Sequence, residues 1–294
     1  MYKLEEVNLE GQKLLRLTNP VLGIGALIYP DAGASMQYLS VAGKEIIGLP
    51  DSWSYDSCYA SALLFPYANR IEDATYKYKG NTYHLTANES ETGHAIHGLL
   101  AKSTFKMEQF EQIDNEARLE FSCSSSGKDP GFPFLFKFKV VYRLSPSCLK
   151  MELQVENNGH QSFPFSFGWH PYFKLDTASK DTIRFSGVSR ALIDESGITR
   201  AMVLQDSSPI LDWAKTIDDC FLITDSVVQW DSNGSNYSLE MDGMDYIQLF
   251  SVPGQDYVAI EPVSAPSNSF NNEIGLRHLE PERIFTSFCK LSWT

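Results

Sequence analysis

The sequence predicts an all-β protein, a large antiparallel β-sandwich or barrel, and three observations carry that expectation. Strand-forming runs dominate the 294 residues, polar turn clusters separate them at hairpin spacing, and helical periodicity is scarce. Many strands joined by short turns build layered antiparallel sheets.

In chain order, the runs rich in β-branched or aromatic residues cover 13–18, 22–29, 74–78, 104–110, 117–123, 134–144, 149–155 and 257–263. Their connections are the turn clusters Lys79-Gly80-Asn81, Asp114-Asn115, Ser126-Gly127-Lys128-Asp129-Pro130-Gly131, Asn157-Asn158-Gly159 and Asp231-Ser232-Asn233-Gly234, whose residue types favour tight reversals. No fixed-period repeat or low-complexity linker interrupts this rhythm, so a single domain over residues 1–294 is expected. The length suffices for one large buried core.

Composition narrows the function classes. A net charge of -13 repels phosphate backbones, which excludes a nucleic-acid partner. No apolar run approaches the roughly 20 residues of a bilayer span, so no membrane role is expected. The amino terminus Met1-Tyr2-Lys3-Leu4-Glu5-Glu6 carries acids where a secretion signal begins basic and continues apolar, which points to a cytoplasmic location. On that expectation the sequons at Asn88, Asn233 and Asn236 are chance matches. The five cysteines (Cys58, Cys123, Cys148, Cys220 and Cys289) are scattered and contain no C-x-x-C pair, so reduced buried thiols are expected rather than disulfides or a zinc site. No Gly-rich phosphate loop and no Gly-x-Ser-x-Gly elbow is present, which sets aside nucleotide binding and serine hydrolysis.

Chemistry concentrates in a few segments. In the run 163–173, period-two alternation places Phe165, Phe167, Trp169 and Phe173 on one face. Ser166, Gly168, His170 and Tyr172 fall on the other, the arrangement expected for the floor of a polar cleft. On this segment alone, a histidine that merely caps a strand end or meets solvent is the favoured account of His170. In 257–263, Val258 and Ile260 point one way while Ala259 and Glu261 point the other, so a lone carboxylate interrupts an apolar strand. Such a glutamate is paired, neutralised or catalytic, because burial without a partner costs several kcal/mol. Arg70 lies within the apolar run 65–71, and His97 precedes Gly98, which permits close approach of a ligand or backbone. A surface ion pair for Arg70 and a satisfied core histidine for His97 are the alternatives. His94 and His97 form an H-x-x-H, but Gly93 and Gly98 argue against the helix that would make both face one metal ion. No metal site is expected.

Taken in order and spacing, Asn69-Arg70-Ile71, Ile96-His97-Gly98, His170-Pro171-Tyr172-Phe173, Asp218 within Ile217-Asp218-Asp219-Cys220-Phe221, and Ile260-Glu261 resemble the aldose 1-epimerase (galactose mutarotase) family. The tract 76–85 resembles the hairpin that follows the arginine in that family. The resemblance implies a galactose mutarotase-like β-supersandwich with an open cleft, no metal, no organic cofactor and a small-molecule sugar substrate. It implies Glu261 as base and His170 as acid, with His97, Arg70 and Asp218 binding the sugar, although Asp219 adjoins the last. Departures mark a divergent branch: Lys174-Leu175 stands where Asn-Leu is usual, Pro262-Val263 where Thr-Gln is common, and Leu99 where a second glycine is frequent.

Ring opening of an aldose requires removal of the proton from the anomeric hydroxyl and delivery of one to the ring oxygen, so a base and an acid must flank the sugar. At ordinary acidities Glu261 is ionised at neutral pH, and His170 holds a proton when a nearby charge supports it. Two other functions use the same residues: glycoside hydrolysis with Glu261 and Asp218 as paired carboxylates, and non-catalytic carbohydrate binding. A monomer is the default for a domain of this size.

Overall fold

In the strand Cys148–Asn157 every second residue is buried, with Leu149, Met151, Leu153 and Val155 turned inward and Lys150, Glu152 and Gln154 outward. Each inward aliphatic side chain contributes roughly 1.5–3 kcal/mol on burial, so the alternation fixes which face of the sheet becomes core. This is a computed structural model, and it describes residues 1–294 except 10, 51, 176, 181 and 206–210, with the backbone alone at 177 and 178.

Two antiparallel sheets pack face to face. The larger runs, in spatial order, through Lys3–Leu9, Gln12–Asn19, Ile24–Tyr29, Ser35–Val41, Lys44–Ile47, Tyr172–Lys174, Tyr257–Val263, Tyr246–Ser251, Ile217–Ile223, Gly187–Ile193 and Thr199–Leu204. Gly168–His170 joins it beside Tyr257–Val263 and also pairs with Ala62–Leu64. The smaller is ordered Lys106–Ile113, Glu116–Ser124, Phe136–Leu144, Cys148–Asn157, Ile284–Trp293, Ser235–Asp242 and Val227–Ser232. A single apolar cluster joins them, with Leu17, Ile28 and Leu39 from one sheet and Phe121, Val140 and Leu291 from the other. The buried Tyr142 hydroxyl crosses the core to donate to the Ala34 carbonyl at 2.8 Å. A chain of rings, Phe173 to Trp230 at 4.7 Å and Trp230 to Tyr237 at 5.5 Å, also links the layers. Among the described residues the α-helices are single turns, Tyr55–Cys58, Thr177–Lys180 and Ser269–Asn272, and no helix is long and apolar enough to cross a membrane.

The strands expected from the sequence are present, with ends displaced by a few residues. The run 163–173 differs, being divided into Phe163–Phe165, Gly168–His170 and Tyr172–Lys174. The pieces pair differently: the first with Arg277–Leu279, the second mainly with Ala62–Leu64 and at Gly168 with Val263, and the third with Tyr257–Val263. Pro171 has no N–H to continue a ladder, and the Ser166 hydroxyl accepts the Ala68 N–H at 3.0 Å. The face sorting survives these breaks, since Phe165, Phe167, Trp169 and Phe173 all enter the core. Asn157-Asn158-Gly159 is not a hairpin turn. Its strand pairs instead with Phe136–Leu144 and Ile284–Trp293.

Strand Tyr257–Val263 positions the site. Val258 and Ile260 point into the core, while Ala259 and Glu261 point to the opposite face, which the chain segment 54–98 covers.

Candidate active site

The cleft floor is a lattice of cross-strand neighbours. Register sets Asp218 opposite Phe250, Phe250 opposite Ala259, and Ala259 opposite Tyr172. Gln248 stands opposite Glu261 in the next row. His170 arrives on the neighbouring short strand, and its Nε2 lies 3.4 Å from Glu261 Oε1. The His170 and Tyr172 rings stack at 5.2 Å.

The wall comes from segment 54–98. Asn69 and His97 both adopt left-handed backbone, at φ 57° and 63°, uncommon for residues with a Cβ and concentrated at functional sites. The His97 amide donates to the Asn69 carbonyl at 3.1 Å, which ties the two strained positions together. Gly98 follows at φ +73°, where a Cβ would fall 2.3 Å from the Phe65 carbonyl oxygen. This close approach turns the His97 ring over the floor, edge-to-face with His170 at 4.9 Å and beside Tyr59 at the same separation. Floor and wall enclose an open cavity of ≈ 500 Å³, in the range of small-molecule sites.

All five residues singled out in the sequence, Arg70, His97, His170, Asp218 and Glu261, line this one cavity. Asp219 does not; it faces the other way and pairs with Arg190. His94 is also absent from the lining, its Nδ1 accepting the Asp73 N–H at 3.0 Å. Arg70 does form an ion pair, but inside the site. Its Nε and Nη2 grip the Glu89 carboxylate at 3.0 and 2.9 Å, and its Nη1 lies 3.8 Å from Asp218 Oδ2. Gln248 donates to Asp218 Oδ1 at 2.6 Å and accepts from Asn69 Nδ2 at 3.4 Å, bridging floor to wall. His97 is not a satisfied core histidine. Its Nδ1, together with His170 Nδ1 and Glu261 Oε2, is buried with no hydrogen-bond partner among the described residues.

Glu89 and Gln248 are site residues that sequence reasoning missed. Gln248 sits in Tyr246–Ser251, whose apolar neighbours on both faces hide the alternation. Glu89 belongs to an irregular segment without any period, and only its ion pair with a residue 19 positions away reveals it.

The acidities differ from the sequence expectation of an ionised glutamate beside a protonated histidine. Burial pushes the Glu261 carboxyl well above its ordinary value, the nearby Asp218 charge adds to this, and Arg70 opposes it. Burial also brings His170 down to about 4. It holds His97 well below the ordinary imidazole value, with His170 and Arg70 contributing. A low-dielectric pocket disfavours net charge, so Glu261 and His170 are displaced toward their neutral forms. Raising the carboxyl and lowering the imidazole reverses their usual order, and the two titrate as a coupled pair. Asp218 is raised by burial despite Arg70. For Glu89, burial is outweighed by the Arg70 and Thr92 hydrogen bonds, and its carboxyl stays below the ordinary range.

The fold and cleft define an antiparallel β-sandwich with a sugar-sized polar hollow, floored by a touching imidazole and carboxyl on the outer face of its larger sheet. The chain belongs to the aldose 1-epimerase family, whose pattern it matches over residues 13–292. It is 26% identical to the uncharacterized protein YihR of Escherichia coli K12 over 274 residues, 86% of each chain. It is 25% identical to the aldose 1-epimerase of Escherichia coli K12 over 154 residues, 51% of this chain and 43% of that one. In structure it is similar to a galactose mutarotase-like protein from Clostridium acetobutylicum, with TM-score 0.84, 22% identity and coverage of 100% and 98% of the two chains. Galactose 1-epimerase from Lactobacillus acidophilus NCFM gives TM-score 0.79 at 15% identity, with the same coverage. The fold is thus the galactose mutarotase-like sandwich.

Proposed function

We propose that the protein is a mutarotase that interconverts the α and β anomers of a free aldose, with Glu261 as base and His170 as acid. The observation that carries this reading is that Glu261 and His170 line one cavity of ≈ 500 Å³; they meet at 3.4 Å on its floor, so the sugar lies over the pair rather than between its members.

A carboxyl and an imidazole supply what ring opening requires, one group able to take a proton and one able to give it. Sugar hydroxyls donating to the Glu261 carboxylate favour its charged form, as does the Arg70 field, and both shift the proton toward His170. Glu261 then removes the proton from the anomeric hydroxyl while His170 delivers one to the ring oxygen, and the C1–O5 bond breaks. Rotation about C1–C2 presents the other carbonyl face. Reclosure reverses both transfers and restores the starting protonation. Arg70 and His97 steady charge developing on oxygen, and Asp218, oriented by Gln248, accepts from hydroxyls.

The test is polarimetry of freshly dissolved α-D-glucose and α-D-galactose, extended to a panel of hexoses and pentoses. Faster loss of optical rotation than in buffer alone is expected. Binding without acceleration, or release of reducing sugar from an oligosaccharide, would replace this reading with a carbohydrate-binding or hydrolytic one.

A further inference from the structure

Arg70 is the only lysine or arginine side chain among the cavity-lining residues, against the carboxyl groups of Asp56, Glu89, Glu91, Asp218 and Glu261. Nor is it a free cation. Glu89 grips its Nε and Nη2 edge bidentately, at 3.0 and 2.9 Å. Glu89 is itself held by the Thr92 hydroxyl, which donates to Oε2 at 2.6 Å. Gly197 closes one face of the guanidinium, since a Cβ there would lie 2.6 Å from Nη1 and 2.8 Å from Cζ, and its φ is +79°. That backstop is rigid, because Asp194 Oδ1 accepts the backbone N–H groups of both Ser196 and Ile198, at 2.9 and 3.1 Å. Lys174 does not add charge to the cavity; it lies 3.5 Å from Glu45.

We propose, on the mutarotase reading above, that Glu89 determines specificity by holding Arg70 with Nη1 toward the sugar and offsetting part of its charge. Arg70 thereby acts as a hydrogen-bond donor to neutral hydroxyls, and the cleft rejects aldoses that carry a phosphate or carboxylate. A bidentate arginine–carboxylate pair is directional as well as neutral, so one residue sets both orientation and charge. Without Glu89, the guanidinium would keep only the looser Asp218 contact at 3.8 Å, and its less compensated charge in a partly desolvated site would attract anions more strongly.

Glu89→Gln keeps the side-chain shape and one acceptor while removing the charge. Affinities for D-glucose, D-galactose, D-glucuronate and D-glucose 6-phosphate are to be measured by calorimetry for both proteins, with polarimetry for the mutarotation rates. The wild type is expected to favour the neutral sugars. In the variant the anionic-to-neutral affinity ratio rises about tenfold, roughly 1.4 kcal/mol, and the rise shrinks at high salt. Glu89→Asp is expected to keep the wild-type ratio, which a purely structural role for residue 89 would not predict. Thr92→Ala loosens Glu89 and shifts the ratio the same way by a smaller factor, so it supplies the test if Glu89→Gln does not fold. An unchanged ratio in the folded variant, or a wild type that favours the anionic sugars, overturns the proposal. If the wild type binds sugars without accelerating anomer exchange, the mutarotase reading fails while the binding ratio still decides the role of Glu89.

Discussion

Glu261 Oε2 lies buried with no hydrogen-bond partner among the described residues, a placement that works against stability and is retained where a reactive group is needed. Replacing Glu261 with Gln, or His170 with Asn, is expected to lower turnover by roughly 10²–10⁴, measured by polarimetry. An unchanged rate would remove that residue from the mechanism. The displaced acidities set the pH dependence. With His170 at about 4, the acid limb of kcat/KM should lie toward pH 4, while loss of the proton from the raised Glu261 carboxyl gives a separate alkaline limb. An acid limb near 6.5, where an ordinary imidazole titrates, would mean that burial does not govern His170. Glu261 also links stability to pH. Its folded-state value is raised, so above the ordinary carboxylate range the folded chain binds more protons than the unfolded one and loses stability as pH rises. Glu261→Gln removes that loss. Its stability relative to wild type should therefore increase from pH 5 to 8 in denaturant titrations, and a constant difference would contradict the raised acidity. Of these residues, Glu261 and His170 were legible in the sequence because each is a polar interruption of a strand face. Their protonation was not, because it depends on burial that a linear pattern does not show.

Among the elements around the cleft, the left-handed bend through His97 and Gly98 is strained, at φ 63° and 73°. Gly98→Ala would place a Cβ 2.3 Å from the Phe65 carbonyl oxygen at φ +73°. We expect a loss of about 3 kcal/mol or more, read from denaturant midpoints, together with reduced activity as His97 is displaced. Retained wild-type stability would mean that the bend relaxes freely. The strands legible in the sequence, such as Cys148–Asn157 and Tyr257–Val263, alternate cleanly because one face is core. Ile217–Ile223 escaped notice because Asp218 and Asp219 sit at its start, one in the cleft and one paired with Arg190. Ile284–Trp293 is obscured by Ser287 and Cys289, both buried where aliphatic residues would normally reveal the inward face. The pieces of 163–173 could not be separated in advance, since each break depends on a partner strand distant in the chain.

At the scale of the molecule, one apolar cluster spans both sheets, and we expect the chain to unfold as a single cooperative unit. Calorimetry should show one transition with matching calorimetric and van't Hoff enthalpies, whereas two resolved transitions would divide the chain. Trp230, fully buried between Phe173 and Tyr237, is the sharpest probe of that unity. Trp230→Ala should cost about 3–5 kcal/mol and shift the whole transition rather than part of it. The all-β class was legible because strand periodicity recurs along the whole chain. The pairing order was not, because the cleft strands Ile217–Ile223, Tyr246–Ser251 and Tyr257–Val263 join Tyr172–Lys174 across long stretches of sequence.

The strands beneath the cleft are two-sided: Val258 and Ile260 belong to the core, while Glu261 meets the cavity. Substrate choice and foldability are thereby written in alternate letters of the same segments. New substrate preferences can arise by exchanging outward residues such as Gln248 and Phe250 while their inward neighbours stay fixed, so the scaffold can diversify its chemistry without renegotiating its architecture.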